Sequence, residues 1–340
     1  MNLFRKARSR IISYLKRDLS ATFMKNFWPI IKIFALIAVA LSLLICILFG
    51  YSDIPTEELK LKYAQKPSSF ASINGIDTHF RDEGNKTDSI PIVLIHGTGA
   101  SLHTFDEWTN GLKQDFRVVR MDLPGYGLTN PFINHDYSIN HYVEFINAFL
   151  EKQKIKRCII GGNSLGGHIA WQYALQHPQK VDRLILIDAG GFPSRSKSTP
   201  IAFKLAKIPL IKNLFKYITP KFVVRSSVEN VYANPEKISE ELIERYFELS
   251  LREGNRQAFI DRFKKQKSSS SHEHISKITE ETLILWGEKD FLIPVDNAYL
   301  FEKKLPNSTL VLFKNLGHVP MEEDAEQSLA PVLNFLAQKN

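Results

Sequence analysis

Short apolar runs alternate with amphipathic stretches along most of the chain. The apolar runs predict buried strands at Ile90–Ile95, Val118–Met121, Cys158–Ile160, Leu184–Ile187, Thr282–Trp286 and Leu310–Phe313. Helical periodicity is found at Tyr137–Gln153, His168–His177, Val295–Lys304 and Ala325–Gln338. Phe70–Arg81 instead alternates around Asn74-Gly75, which predicts a hairpin. Strands that alternate with helices predict an α/β fold, with a mostly parallel sheet covered by helices on both faces.

Residues 192–276 interrupt this alternation between two late strands. Short helical patterns occur there at Pro200–Lys207, Leu210–Tyr217, Ser239–Leu251 and Arg256–Lys265, separated by Pro209, Pro220 and Pro235. The stretch ends in the serine run Ser268–Ser271, a candidate hinge. A long helical insert at one edge of a sheet predicts a lid over a site.

The amino-terminal part has a different pattern. Phe27–Phe49 is apolar apart from Lys32, and about 20 apolar residues span a bilayer core. The alternative is a cleaved signal peptide, but the run exceeds the ~7–15 apolar residues of a signal and no small-residue cleavage site follows. We therefore expect a basic amphipathic segment at 1–26, a transmembrane helix at 27–50, a linker at 51–69 and a folded domain at 70–340.

The positive charge of the chain is concentrated near its amino terminus. Residues 1–32 carry a net charge of +7, whereas residues 51–340 carry only +1, which argues against nucleic-acid binding. Basic residues before the span favour a cytoplasmic amino terminus, with the domain on the extracytoplasmic side of a cell membrane. One cysteine, Cys46, lies in the span and the other, Cys158, on a core strand, so we expect no intrachain disulfide.

The stretch Cys158–Gly167 contains Gly162-x-Ser164-x-Gly166 between a strand and a helix. This is the pattern of a nucleophile elbow, in which glycines on either side of a serine remove clashes in a strained turn. The turn presents the serine hydroxyl beside the free N–H groups of a helix N-terminus. Ser164 is therefore the candidate nucleophile.

A serine nucleophile needs a base, and the base needs an orienting carboxylate. His318 follows the last strand in Gly317-His318 and is the candidate base, while His96 and His103 are expected to pack near the site without reacting. Asp290, which follows the penultimate strand, is the candidate acid. Asp188, at the end of another strand, is the first alternative, and the weaker alternatives are Glu288, close to its strand, and Asp122, which we expect to cap a turn.

An oxyanion hole needs two preorganised N–H donors. The Leu165 N–H directly follows the candidate nucleophile. The second donor is expected in the loop His96–Gly99, where two glycines allow close backbone approach, and Thr98 N–H is our choice. This chemistry requires no cofactor and no metal, and the sequence predicts neither.

From about Phe70 to Leu336 the chain resembles the α/β-hydrolase superfamily, in particular its lidded lipase- and esterase-like branch. The motifs that carry the resemblance are His96-Gly97-Thr98-Gly99-Ala100-Ser101, Asp122-Leu123-Pro124-Gly125-Tyr126-Gly127, Gly162-Asn163-Ser164-Leu165-Gly166-Gly167, Trp286-Gly287-x-x-Asp290 and Gly317-His318. The resemblance implies the α/β-hydrolase fold and a Ser-Asp-His triad. It disfavours haloalkane dehalogenases and epoxide hydrolases, which have Asp at the elbow, and carbon–carbon bond hydrolases, which usually have a proline-containing loop after His-Gly.

The first hypothesis is therefore a membrane-anchored serine hydrolase that cleaves carboxylic esters. An acyltransferase, a cofactor-free haloperoxidase or a carbon–carbon bond hydrolase could use the same triad. The second hypothesis is a membrane-tethered binding protein that retains the fold without catalysis. Such proteins usually lack a triad member, and none is missing here.

The lid carries a net charge of +7, from 16 Lys and Arg against 9 Asp and Glu. Its first half interleaves lysines with apolar residues, as surface-seeking helices do. The lysines are Lys204, Lys207, Lys212 and Lys216, and the apolar residues are Ile201, Phe203, Leu205, Ile208, Leu210, Ile211, Leu214, Phe215, Ile218, Phe222 and Val223. The alternative is a set of solvated helix faces. We expect the lid to face lipid, and the substrate to be a hydrophobic or lipid-like ester.

Overall fold

The structure is a computed structural model that describes residues 27–338 apart from 42, 45, 194, 209–213, 215 and 265–270. The predicted basic segment 1–26, most of the predicted lid helix Leu210–Tyr217 and most of the serine run Ser268–Ser271 lie outside the described residues. The chain divides into two compact units, Met1–Gly50 and Tyr51–Asn340.

The first unit contains helix α1, Phe27–Phe49. Its 23 residues are long and apolar enough to cross a membrane, a property that signal sequences near an amino terminus share. Length and composition therefore agree with the predicted span without separating an anchor from a signal.

The second unit is built on an eight-stranded sheet. Its strands are β1 Ser69–Ile73, β2 Ile76–Gly84, β3 Ile92–Ile95, β4 Arg117–Met121, β5 Cys158–Asn163, β6 Val181–Ile187, β7 Glu281–Gly287 and β8 Ser308–Phe313. They lie in the order β1-β2-β4-β3-β5-β6-β7-β8, and only the β1/β2 and β2/β4 pairs are antiparallel. The predicted mostly parallel sheet and the predicted hairpin are confirmed. Asn74 (φ 50°) and Gly75 (φ 84°) form the hairpin turn, as a two-residue primed turn requires.

Alternate residues of the central strands enter two separate hydrophobic layers. In β3, Val93 and Ile95 join one layer while Ile92 and Leu94 join the other. The first layer packs against helices α4, α5 and α10, and the second against α3 and α12. These helices are α3 Asp106–Leu112, α4 Ile139–Lys152, α5 Leu165–Gln176, α10 Asp296–Lys304 and α12 Ala325–Ala337, and the short α11 is Pro320–Glu323. Burial on both faces explains why the strands read as continuous apolar runs.

The insert between β6 and β7 is helical, as predicted. Its described helices are α6 Ile201–Ala206, α7 Lys221–Glu229, α8 Glu240–Ser250 and α9 Asn255–Arg262. Helix α7 was not predicted, because Pro220 was interpreted as a separator. In the structure Pro220 caps the start of α7, and Pro200 does the same for α6. Proline is tolerated at the start of a helix, where its missing N–H has no acceptor.

The segment Tyr51–Tyr63, which we call the strap, follows the first unit and contains helix α2, Thr56–Tyr63. Its Ile54 donates its N–H to the Leu251 carbonyl and accepts the Glu253 N–H. Asp53 accepts two hydrogen bonds from Arg256 of α9, at 3.0 and 2.7 Å. This part of the predicted linker is therefore bound to the second half of the lid.

Candidate active site

Ser164 lies between β5 and α5 with φ 57° and ψ −112°, a strained conformation for a residue with a side chain. A Cβ atom on Gly162 would lie 2.4 Å from the backbone carbon of Gly166, and one on Gly166 would lie 2.0 Å from the Ile95 carbonyl oxygen. Both glycines are therefore required for the turn, and the predicted elbow geometry is present.

Backbone hydrogen bonds hold the elbow in place. Ser164 donates its N–H to the Ile187 carbonyl at 3.0 Å, and its own carbonyl accepts the N–H groups of His168 and Gly190. Because Ile187 ends the adjacent strand, the strained residue is supported by the sheet as well as by its own helix.

The two other candidate triad residues are in direct contact. His318 Nδ1 lies 2.6 Å from Asp290 Oδ2, and both side chains are buried. Asp290 Oδ1 accepts the N–H groups of Leu292 and Ile293 at 2.8 and 2.9 Å. Three N–H donors thus stabilise the carboxylate of Asp290. With the proton on Nδ1, the Nε2 atom of His318 is left as a base.

Ser164 and His318 line the same cavity. The residue before the serine, Asn163, donates its Nδ2–H to the His318 carbonyl at 2.8 Å, which ties the histidine loop to the elbow. The histidine loop is held from the other side by Glu323, whose buried carboxylate accepts the Gly317 N–H at 2.7 Å. Neither Asn163 nor Glu323 was singled out from the sequence as a supporting residue.

The proposed oxyanion donors flank the serine. Leu165 is the first residue of α5, so its N–H has no acceptor within the helix. The Gly97 carbonyl accepts from His96 Nδ1 at 2.8 Å and from the Ala100 N–H at 3.3 Å. Because the peptide is planar and trans, the Thr98 N–H points away from that carbonyl. Thr98 also lines the cavity that holds Ser164.

His96 and His103, expected to pack near the site without reacting, are both buried. His96 Nε2 accepts the Leu123 N–H at 2.9 Å, and burial lowers the pKa of His96. Burial lowers the pKa of His103 to about 4. Both therefore remain neutral near pH 7, and His96 fixes the Gly97 peptide through its Nδ1–H.

The structure separates the alternative acids. Glu288 is exposed, whereas Asp290 and His318 are buried. Asp122 accepts the N–H groups of Leu102 and Leu128, which confirms its predicted capping role, and it also pairs with buried His79. Asp188 lies beside Asp290, a proximity that the sequence order alone did not reveal.

Among the described residues, one group of side chains has enough potential ligand atoms close together to hold a metal ion, and it consists of Asp188, Asp290 and His318. Their ligand atoms lie within 4.8 Å of one another. The 2.6 Å hydrogen bond between His318 and Asp290 leaves no space for an ion between these two groups. The arrangement therefore fits acid–base chemistry rather than metal coordination.

The cavity encloses about 1120 Å³, including the part open to solvent, and its walls are mainly apolar. The lid supplies Phe203, Val223, Val228, Leu249 and Phe259. Among the described residues that line the cavity, Arg256 is the one Lys or Arg, and its guanidinium pairs with Asp53. The cavity thus offers mainly apolar contacts to a ligand beside Ser164.

Known proteins with similar sequences and structures include several hydrolases. A 2-hydroxy-6-oxononadienedioate/2-hydroxy-6-oxononatrienedioate hydrolase from Pseudomonas sp is 28% identical, over 78% of this chain and 93% of its own. The structure of the meta-cleavage product hydrolase of Pseudomonas fluorescens IP01 is similar with a TM-score of 0.70 and 24% identity, over 80% of this chain and 98% of its own. The candidate lipase lip1 of Acinetobacter baumannii AYE has a TM-score of 0.69 and 27% identity, over 84% of this chain and 97% of its own. A membrane phospholipase A described as a bacterial virulence factor has a TM-score of 0.69 and 23% identity, over 92% of this chain and 98% of its own.

A family model described as the alpha/beta hydrolase fold matches residues 90–219 and 226–325, more than half of the chain. The matched residues contain the elbow, the histidine loop and most of the lid. The strand order, the inserted lid and the placement of Ser164 agree with this match. The chain therefore belongs to the α/β-hydrolase fold family.

Proposed function

We propose that this protein is a membrane-anchored serine hydrolase that cleaves carboxylic esters through an acyl-enzyme. The observation that carries the proposal is the buried 2.6 Å His318–Asp290 pair, whose histidine lines the same cavity as the strained Ser164. A buried carboxylate that orients a histidine beside an elbow serine is the arrangement that activates a hydroxyl nucleophile.

In this mechanism Ser164 Oγ attacks the ester carbonyl while His318 Nε2 takes its proton. Asp290 keeps the other imidazole proton on Nδ1 and stabilises the imidazolium that forms. The Leu165 and Thr98 N–H groups bind the oxyanion, and each such donor typically contributes about 3 kcal/mol. His318 then gives its proton to the leaving alcohol, and water cleaves the acyl-enzyme by the same route in reverse.

The nature of the cavity supports a hydrophobic ester as the substrate. Its apolar walls favour an acyl or alkyl chain over a charged group, because a buried charge needs a partner. The charge of Arg256 is balanced by its pairing with Asp53. We therefore propose a medium-chain or lipid-like ester.

A carbon–carbon bond hydrolase is the second candidate, because a relative with 28% identity is named as one. That relative's substrates are named as dioates, which carry two carboxylates. The mainly apolar cavity of this chain supports the ester more than such a dianion.

Labelling by a fluorophosphonate probe tests the serine hydrolase. Full-length protein in detergent should be labelled and should hydrolyse p-nitrophenyl butyrate or octanoate. The variants Ser164→Ala and His318→Ala should lose both the labelling and the hydrolysis. Their thermal unfolding temperature should equal that of the wild type. A folded wild-type protein that is not labelled would identify a non-catalytic binding protein. Labelling accompanied by cleavage of 2-hydroxy-6-oxononadienedioate, but of no ester, would favour the carbon–carbon hydrolase.

Two observations support membrane anchoring through residues 27–50. Helix α1 has the length and composition of a span. The similarity to the membrane phospholipase A covers 92% of the chain. Residues 51–340 make up a smaller share of the chain than this, so the similarity extends into the residues before Tyr51.

We further propose a cytoplasmic amino terminus, because eight basic residues precede Ile33. Alkaline phosphatase fused after Asn340 should be active, and activity of a cytoplasm-dependent reporter at that position would reverse the orientation.

A further inference from the structure

Asp188 occupies a strained and fully buried position at the end of β6. Its φ is 43°, and its side chain is 0% exposed. The Asp188 N–H donates to the Leu285 carbonyl, and Oδ1 accepts the Gly287 N–H, both at 3.0 Å. Leu285 and Gly287 belong to β7, the strand that leads to Asp290. Asp188 is therefore fixed to the element that positions the triad acid.

The two carboxyl groups lie side by side but have unequal surroundings. One oxygen of Asp188 lies within 4.8 Å of both an Asp290 oxygen and a His318 ring nitrogen. Asp188 Oδ2 is buried and has no hydrogen-bond partner among the described residues. Asp290, in contrast, receives hydrogen bonds from two backbone N–H groups and from His318.

This inequality favours a proton on the carboxyl of Asp188. Two buried carboxylates so close together repel, so one of them retains its proton. Burial, followed by the charge of Asp290, raises the pKa of Asp188 well above its ordinary value. The shared proton therefore resides on Asp188, whose free Oδ2 can carry it, while the Asp290 carboxyl already accepts from three N–H donors.

We propose that Asp188 is a positioning residue of the active site: its protonated carboxyl donates a hydrogen bond towards Asp290, and it can replace Asp290 as the partner of His318. When Asp290 loses its charge, Asp188 releases its proton to solvent and its carboxylate then accepts the His318 Nδ1–H. The proposal rests on the proposed triad. It adds a second carboxyl that sequence order placed only as an alternative acid.

A double-mutant cycle tests this role in the full-length protein, with kcat/KM for p-nitrophenyl butyrate as the first measurement. Asp188→Asn should lower kcat/KM by much less than Asp290→Asn does, because its amide can still accept from Gly287 and donate to Asp290. Asp290→Asn should lose about 10²-fold, less than the ~10⁴-fold of an Asp→Asn change in a serine protease triad. The double variant should lose at least a further tenfold.

The low-field proton NMR signal of His318 Nδ1–H provides a readout that does not need activity. It should persist in Asp290→Asn, with Asp188 as the acceptor, and disappear in the double variant. Equal kcat/KM values and equal spectra for Asp290→Asn and the double variant would overturn the proposal. A loss in Asp188→Asn alone as large as that in Asp290→Asn would also overturn it, by making Asp188 the primary acid. A wild-type protein that is inactive but gives the expected spectra would refute the proposed hydrolase function and not the role of Asp188.

Discussion

Gly97 brings two backbone segments of the site closer together than a side chain would permit. A Cβ atom there would lie 2.9 Å from Asn163 Oδ1 and 3.1 Å from Ser164 Cβ. Asn163 also donates to the His318 carbonyl, so the same few atoms set the positions of the proposed nucleophile, base and oxyanion donor. The sequence predicted a close approach in this loop, but it gave no sign that Asn163 would be the contact.

We expect Gly97→Ala to lower kcat/KM by at least tenfold, because the added methyl group displaces Asn163 or Ser164. The cost of overpacking should remain near 1–3 kcal/mol, so the fold should persist. Ester hydrolysis and the rate of fluorophosphonate labelling measure the effect on the site, and thermal unfolding measures the effect on stability. Gly161→Ala is the matched control, since its Cβ would contact Ile185 at 3.1 Å and not the serine. Equal kcat/KM values for the two variants would contradict this account.

At the scale of elements, the strands were predicted more completely than the lid. Every apolar run proposed as a strand is one, although β5 extends to Asn163, three residues beyond the prediction. Gly161 and Gly162 ended the apolar pattern, whereas their pairing with Ile185 and Leu186 continues the strand. Pairing of this kind depends on neighbours far away in sequence, so a local pattern could not reveal it.

The partners of charged residues in the lid could not be predicted from a local sequence pattern either. Arg256 was interpreted from the sequence only as the start of a helical pattern. In the structure its side chain is 7% exposed and is paired with Asp53, about two hundred positions earlier in the chain. No spacing rule connects such residues, so the attachment of the strap to the lid could be found only from the fold.

We expect Asp53→Asn to loosen helices α8 and α9, because it leaves the buried Arg256 without a charged acceptor. Asp53 is itself 43% exposed, so the cost should be only about 1 kcal/mol. Hydrogen exchange followed by mass spectrometry should show faster exchange in 240–262 and unchanged exchange in β5. Glu57→Gln, which removes an exposed pair with Lys60 on the same strap, is the control and should change neither. Unaltered exchange in both variants would show that the strap does not hold the lid.

At the scale of the whole molecule, apolar and basic side chains are exposed together on the first half of the lid. We define the lid face by its exposed residues Ile201, Lys204, Lys207, Ile208, Leu214, Tyr217 and Phe222. Other residues of the same half, such as Phe203 and Val223, turn inward and line the cavity. The predicted interleaving of lysines with apolar residues thus divides into an outer face and an inner wall.

The position of the lid face relative to the chain supports a lipid partner. Tyr51, the first residue of the second unit, donates its N–H to the Tyr217 carbonyl at 3.1 Å. The polypeptide therefore leaves this unit directly beside an exposed residue of the lid face. Because each lysine near an anionic membrane surface contributes about 1 kcal/mol, the lid face should prefer anionic lipid to zwitterionic lipid.

We therefore expect the full-length protein to hydrolyse p-nitrophenyl octanoate faster in phosphatidylglycerol-containing vesicles than in pure phosphatidylcholine vesicles. Salt should reduce the difference, since the attraction is screened over about 10 Å at 0.1 M. Lys204→Glu/Lys207→Glu should abolish the difference. Lys303→Glu/Lys304→Glu, the same charge change on exposed positions of α10, should preserve it. A rate that is independent of lipid charge and confined to acetyl esters would refute both the lipid-facing lid and the hydrophobic substrate.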